Sequence, residues 1–146
     1  KINQAIMPGI QGGPFDHLFT AKAALFKLAT EKRYQVYQKQ VIENAQFMAK
    51  ICQKNGLTVV SGGTDTHLFL IDLTKEEKTG KEIAALLEEQ RIIVNKNAIP
   101  NDQLSPFFSF FIRIGTPTVT AEQRTKKELE EITNKIITTI KKPNVY

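Results

Sequence analysis

Arg113 stands in a run from Phe107 to Gly115 that is otherwise phenylalanine, isoleucine, serine and glycine. A guanidinium is not desolvated in such a strand without an anion to pair with it, so the sequence predicts a negative group nearby. Strand alternation puts Phe107, Ser109, Phe111 and Arg113 on one face and Phe108, Phe110, Ile112 and Ile114 on the other. Arginine grips a carboxylate through two parallel hydrogen bonds, which makes a small-molecule acid one candidate partner. An internal salt bridge, for example to Asp72, is the other.

Three further clusters carry polar chemistry. Gln11-Gly12-Gly13-Pro14 stands before a helical stretch, where backbone N–H groups and the positive end of the helix dipole favour an anion such as phosphate. A tight turn entering the helix explains the same residues. Asn95, Lys96 and Asn97 put two amides and an amine in one short loop, able to read a polar heterocycle or an acidic tail, although asparagine is also simply common in loops. His67, beside Asp65, is a ligand or base in one reading and a satisfied structural histidine in the other, which is favoured. With His17 the only other histidine and Cys52 the only cysteine, no metal-ligand spacing and no Ser-His-Asp order emerges.

These residues need elements to hold them. Pro14 suits the first position of a helix, after an irregular, glycine-rich start over residues 1 to 13. From Glu31, the positions Tyr34, Tyr37, Val41, Ala45, Met48 and Cys52 step by three or four, the period of one buried helical face, and Asn55-Gly56 ends that helix. Leu57 to Val60 and His67 to Leu73 read as an antiparallel pair joined by a longer loop. Thr79 with Glu82, and Thr120 with Gln123, read as capping boxes opening two further helices; Leu129, Ile132, Ile136 and Ile140 form the buried stripe of the second. The expected fold class is α+β, an antiparallel sheet covered by helices.

The 146 residues suit one compact core. No apolar run approaches the roughly 20 residues that cross a bilayer, so no membrane partner is expected. The net charge of +5 comes from lysines spread along helices and mixed with glutamate, as in Lys126-Lys127-Glu128, which speaks against a nucleic-acid partner. A single cysteine on the face of Met48 and Ala45 is core filler and suits the cytoplasm. A start at Lys1-Ile2-Asn3 reads as a segment of a longer protein.

Five motifs in order and spacing resemble the serine hydroxymethyltransferase family. They are Pro8-Gly9-Ile10-Gln11-Gly12-Gly13-Pro14, Val60-Ser61-Gly62-Gly63-Thr64-Asp65-Thr66-His67-Leu68, Val94-Asn95-Lys96-Asn97, Pro100-Asn101-Asp102 and Arg113-Ile114-Gly115-Thr116-Pro117. The resemblance runs from Ile2 to about Thr120. It implies a fold type I pyridoxal-phosphate enzyme of the α/β class, with residues 1–30 ending the large cofactor domain and linking helix, and 31–146 forming the small C-terminal domain. It further implies a homodimer or higher oligomer that converts serine and tetrahydrofolate to glycine and 5,10-methylenetetrahydrofolate.

By the same resemblance Arg113 holds the carboxylate of serine or glycine, and Gly12 and Gly13 reach the cofactor phosphate of the partner subunit. Asn97, Ser105, Pro106 and Phe107 are then the folate contacts. The family's Schiff-base lysine has no counterpart in this chain, so the segment alone is expected to be inactive. Phe110-Phe111 stands where the family commonly has small residues, and its bulk is expected to narrow the site; Thr118 and Ala121-Glu122-Gln123 also depart from the family pattern. Two other readings stand beside this one. A non-catalytic module binding an acidic metabolite or a partner protein explains Arg113 but not the joint spacing, and an aminotransferase-like enzyme is separated by folate dependence.

Overall fold

The computed structural model describes residues 1–98 and 109–142. The chain divides into two compact units, Lys1–Val36 and Tyr37–Tyr146.

The first unit opens with a short helix α1 (Ile2–Gln4), continues as a wider turn over Ala5–Ile10 and then forms α2 (Asp16–Ala29). Its start is therefore more helical than the glycines suggest, broken where Met7 takes an extended conformation (φ −137°, ψ 119°). Pro14 does not open α2. Phe15, extended at φ −85° and ψ 119°, is the residue from which the chain turns into the helix, so Pro14 shapes the approach to it. Phe15, Leu18, Phe19, Leu25 and Phe26 are all exposed, so this unit has no apolar core of its own.

The second unit is built on a four-stranded antiparallel sheet. Helix α3 (Lys32–Lys54) buries Val41, Asn44, Ala45, Met48, Ala49 and Cys52, the face its three-to-four spacing announces. It ends at Gly56, whose φ of +81° is the left-handed conformation that a side chain disfavours. The strands are β1 (Thr58–Val59), β2 (Leu68–Asp72), β3 (Asn95–Asn97) and β4 (Phe111–Gly115), in the order β1-β2-β4-β3. Between β2 and β3 lies α4 (Gly80–Glu89), opened by the expected capping box: the Thr79 hydroxyl accepts from Glu82 N, and Thr79 N donates to the Glu82 carboxylate.

After β4 come α5 (Pro117–Ala121) and α6 (Lys126–Lys141). The last helix starts at Thr125 with Glu128, not at Thr120 with Gln123. Thr120 is unable to cap because its hydroxyl donates to Thr116 O at 2.7 Å and accepts from the buried Asn44 Nδ2 at 2.9 Å. Leu129, Ile136 and Ile140 form the buried stripe, with Ile132 only partly covered.

The two faces of the sheet differ in character. Ile112 and Ile114 of β4 lie opposite Ile71 and Phe69 of β2, and Val59 of β1 lies opposite Ile71. All belong to the core with Met48 and Cys52 of α3, Ile83 and Leu87 of α4, and Leu129, Ile136 and Ile140 of α6. The other face carries Leu70 and Asp72 of β2, Asn95 and Asn97 of β3, and Phe111 and Arg113 of β4. Two lysines close helix ends: Lys78, buried, donates to Ile140 O at 2.7 Å and to Lys142 O, and Lys141 donates to Asn55 O just past α3.

Candidate functional site

Arg113 reaches solvent rather than the core, because the alternate positions Ile112 and Ile114 take the buried face. Among the described residues the expected anion is not there. Leu70 and Asn95 flank Arg113 in register, and Arg113 Nη2 donates to Asn95 Oδ1 at 3.3 Å. Asp72 lies opposite Phe111 instead, and its Oδ1 accepts from Thr74 N at 2.9 Å and from the Thr74 hydroxyl at 2.5 Å. Among the described residues no carboxylate pairs with Arg113, so the salt bridge to Asp72 is not formed and, among these residues, the guanidinium keeps donors for an external anion.

Asn95 to Asn97 form a strand, not the loop that asparagine's turn preference suggests, because pairing with β4 supplies partners that outweigh local propensity. That pairing places Asn97 opposite Phe111 and Asn95 opposite Arg113, so both amides share the face of the guanidinium. Asn97 Nδ2 donates to Ala98 O at 2.7 Å, which leaves the side-chain oxygen as its outward acceptor. The Ser109 hydroxyl donates to Asn97 O and ties the end of β3 to the chain entering β4. Ser105, Pro106 and Phe107 lie outside the described residues, as does Pro100-Asn101-Asp102.

Of the two bulky residues before Ile112, only Phe111 shares the face of Arg113; Phe110 packs against the core. Phe111 is buried but stands apart from that core cluster. The Gly115-Thr116-Pro117 end of the strand is fastened to α3. The Thr116 hydroxyl donates to Val41 O at 2.7 Å, and the Tyr37 hydroxyl donates to Pro117 O at 3.0 Å. His67 contributes through its carbonyl, which accepts from Thr116 N at 3.0 Å, while among the described residues its ring has no hydrogen-bond partner. Its structural role is thus a main-chain one.

Gly12 and Gly13 belong to the first unit. A Cβ placed on either meets nothing within 4 Å, so a ligand has room to approach the backbone there. Phe15 offers no side-chain cap to α2, whose first turn also carries Asp16. That carboxylate disfavours an anion seated directly on the helix end. Cys52 is fully buried and desolvation pushes its thiol up to about 12, so it is no nucleophile. Among the described residues no cluster of His, Cys, Asp or Glu could hold a metal ion, and no helix is long and apolar enough to cross a membrane.

Sequence reasoning singled out Arg113 and the Asn95-Lys96-Asn97 cluster, but not the cross-strand pairing of Asn95 with Arg113. The family model for serine hydroxymethyltransferase matches residues 1–136. A serine hydroxymethyltransferase of Psychrobacter cryohalolentis is 53% identical over 120 residues, covering 82% of this chain and 29% of that relative. One from Nitrosomonas europaea is 47% identical over 142 residues, 97% of this chain and 34% of its own length. Serine hydroxymethyltransferase 2 of Pseudomonas fluorescens is 54% identical over 120 residues, 82% of this chain and 29% of the relative. The chain thus spans roughly a third of the curated relatives it matches.

Proposed function

The chain belongs to the serine hydroxymethyltransferase family, and from that premise we propose that it is the C-terminal portion of an enzyme interconverting serine and tetrahydrofolate with glycine and 5,10-methylenetetrahydrofolate. The observation that carries this reading is Arg113, exposed and unpaired by any described carboxylate, on one sheet face with Asn97. Arg113 binds the amino acid's carboxylate through paired N–H donors and so limits how the bonds at its Cα are oriented. Asn97 offers its amide oxygen to the folate, with Ser105, Pro106 and Phe107 as the further folate contacts.

Pyridoxal 5'-phosphate, when bound, supplies an electron sink at the substrate's Cα. Gly12 and Gly13 suit its phosphate by their open backbone, and in the proposed homodimer or higher oligomer they serve the partner subunit's cofactor. Residues 1–30 then end the large domain, with 31–146 as the small one. The exposed apolar side chains of α2 support that division, since a helix bearing them needs cover from elsewhere. The lysine that anchors the cofactor is not in this chain, so the segment alone is inactive, and the whole enzyme works in the cytoplasm.

The test is tetrahydrofolate-dependent conversion of serine to glycine by the complete protein, native against Arg113→Ala. Losing two charge-assisted hydrogen bonds should lower kcat/KM by about 10²- to 10⁴-fold. Native kcat/KM in the variant refutes the carboxylate role; an inactive native protein shifts the reading to a binding module.

A further inference from the structure

We propose that Asn95 is a positioning residue for Arg113, orienting the guanidinium through a neutral acceptor so that its charge stays available to a carboxylate ligand. The inference rests on the reading of Arg113 as the carboxylate clamp. Asn95 and Arg113 are direct cross-strand partners, and the side chains meet, Nη2 to Oδ1, at 3.3 Å. Among the described strands β3 pairs only with β4, so the strand that presents Arg113 also sets the position of Asn95. The Ser109 hydroxyl on Asn97 O fastens the far end of the same three-residue strand.

The chemistry of the acceptor is the point. Arg33 meets Glu31 at 2.5 Å, and Arg124 meets Glu122 at 3.0 Å and Glu128 at 3.1 Å, so two other arginines of this chain are held by carboxylates. Arg113 is held by an amide. A carboxylate at that place would orient the guanidinium equally well but would compete with an incoming acid for its charge. An amide oxygen engages one of the five N–H donors and leaves the rest, including a pair able to meet a carboxylate side by side. Asp72, the carboxylate nearest in register on this face, is set opposite Phe111 and is occupied by Thr74.

The experiment uses the complete, cofactor-loaded enzyme and compares serine KM and kcat for the native protein, Asn95→Ala, Asn95→Asp and Arg113→Ala. Asn95→Ala removes orientation alone, and KM should rise about 3- to 10-fold, the worth of one ordinary hydrogen bond. Asn95→Asp keeps an acceptor but adds a competing charge, so KM should rise further, by about 10- to 100-fold, while kcat at saturating serine falls less than KM rises. Asn95 is exposed, so both variants are expected to fold, and their unfolding temperatures are recorded alongside. A purely structural residue gives no such ordering. Equal KM values in the two Asn95 variants, or a loss of kcat and stability with KM unchanged, overturn the inference while the Arg113→Ala defect stands. An unchanged KM in Arg113→Ala overturns the underlying reading, and the role of Asn95 with it.

Discussion

Replacing Gly80 with alanine sets two effects of opposite sign against each other. Gly80 is the first residue of α4, where alanine's greater helix propensity should stabilise by up to about 1 kcal/mol. The added Cβ, however, would collide with Phe111 O, lie 3.1 Å from the carbonyl carbon of Phe111 and 3.2 Å from Ser109 O. Non-bonded carbon and oxygen need more than about 3 Å, so the first turn of α4 would have to withdraw from β4 by about 1 Å. That withdrawal stretches the bond from Gly80 N to Ser109 O, now 2.8 Å. A contact this short to a backbone oxygen puts the cost in the upper part of the about 1–3 kcal/mol that overpacking brings, which leaves a net loss of about 1–2 kcal/mol and a lower Tm. The assay is thermal unfolding of the complete protein at one scan rate, with Gly115→Ala as control. At Gly115 the nearest atoms to a new Cβ lie at 3.7 and 3.9 Å, ordinary contact distances. A Gly80→Ala protein as stable as the native one, or more so, refutes the close approach of α4 to the strand bearing Arg113.

Two further outcomes follow from groups away from the site. The Thr79 backbone N–H, then the Thr79 hydroxyl and the charge of Lys78, hold Glu82 below its ordinary carboxylate value. Because that folded-state pKa is depressed, the stabilisation is complete above the ordinary value and is lost as pH falls through the lower folded one. Acid unfolding of Glu82→Gln should therefore show a shallower loss of stability over that window, and an unchanged pH profile would refute the linkage. Cys52, with its thiol pushed up to about 12 by burial, should react with a thiol reagent at pH 8 only as fast as the protein opens; labelling of the native protein at the rate of a free thiol would contradict that.

Elements with a long, one-sided pattern were legible from sequence alone. The stepping of Val41, Ala45, Met48 and Cys52 defined α3, because burial of one helical face acts at every turn, and the apolar run from His67 to Leu73 defined β2. The start of α6 was not legible. Thr120-Ala121-Glu122-Gln123 and Thr125-Lys126-Lys127-Glu128 are both capping patterns, and only the long-range bond from Asn44 shows that the first threonine is already engaged. At the site, alternation put Arg113 and Phe111 on one face, as found, but it carries no information on register between strands. The pairing of Asn95 with Arg113 is a register fact, so the sequence pointed to an anion where the fold supplies an amide.

The sheet order also bears on how the protein is made. β4 is the last of the described strands in sequence, yet it takes an inner place, between β2 and β3. Until it arrives, β3 lacks its one partner among the described strands, and the edge of β2 that will receive β4 stands open. Closing the sheet requires contacts of high sequence separation, such as Leu70 with Arg113, which form slowly because the intervening chain must first be brought around. The guanidinium and its amide partner are therefore brought together by the same strand pairing that joins β3 to the rest of the described sheet.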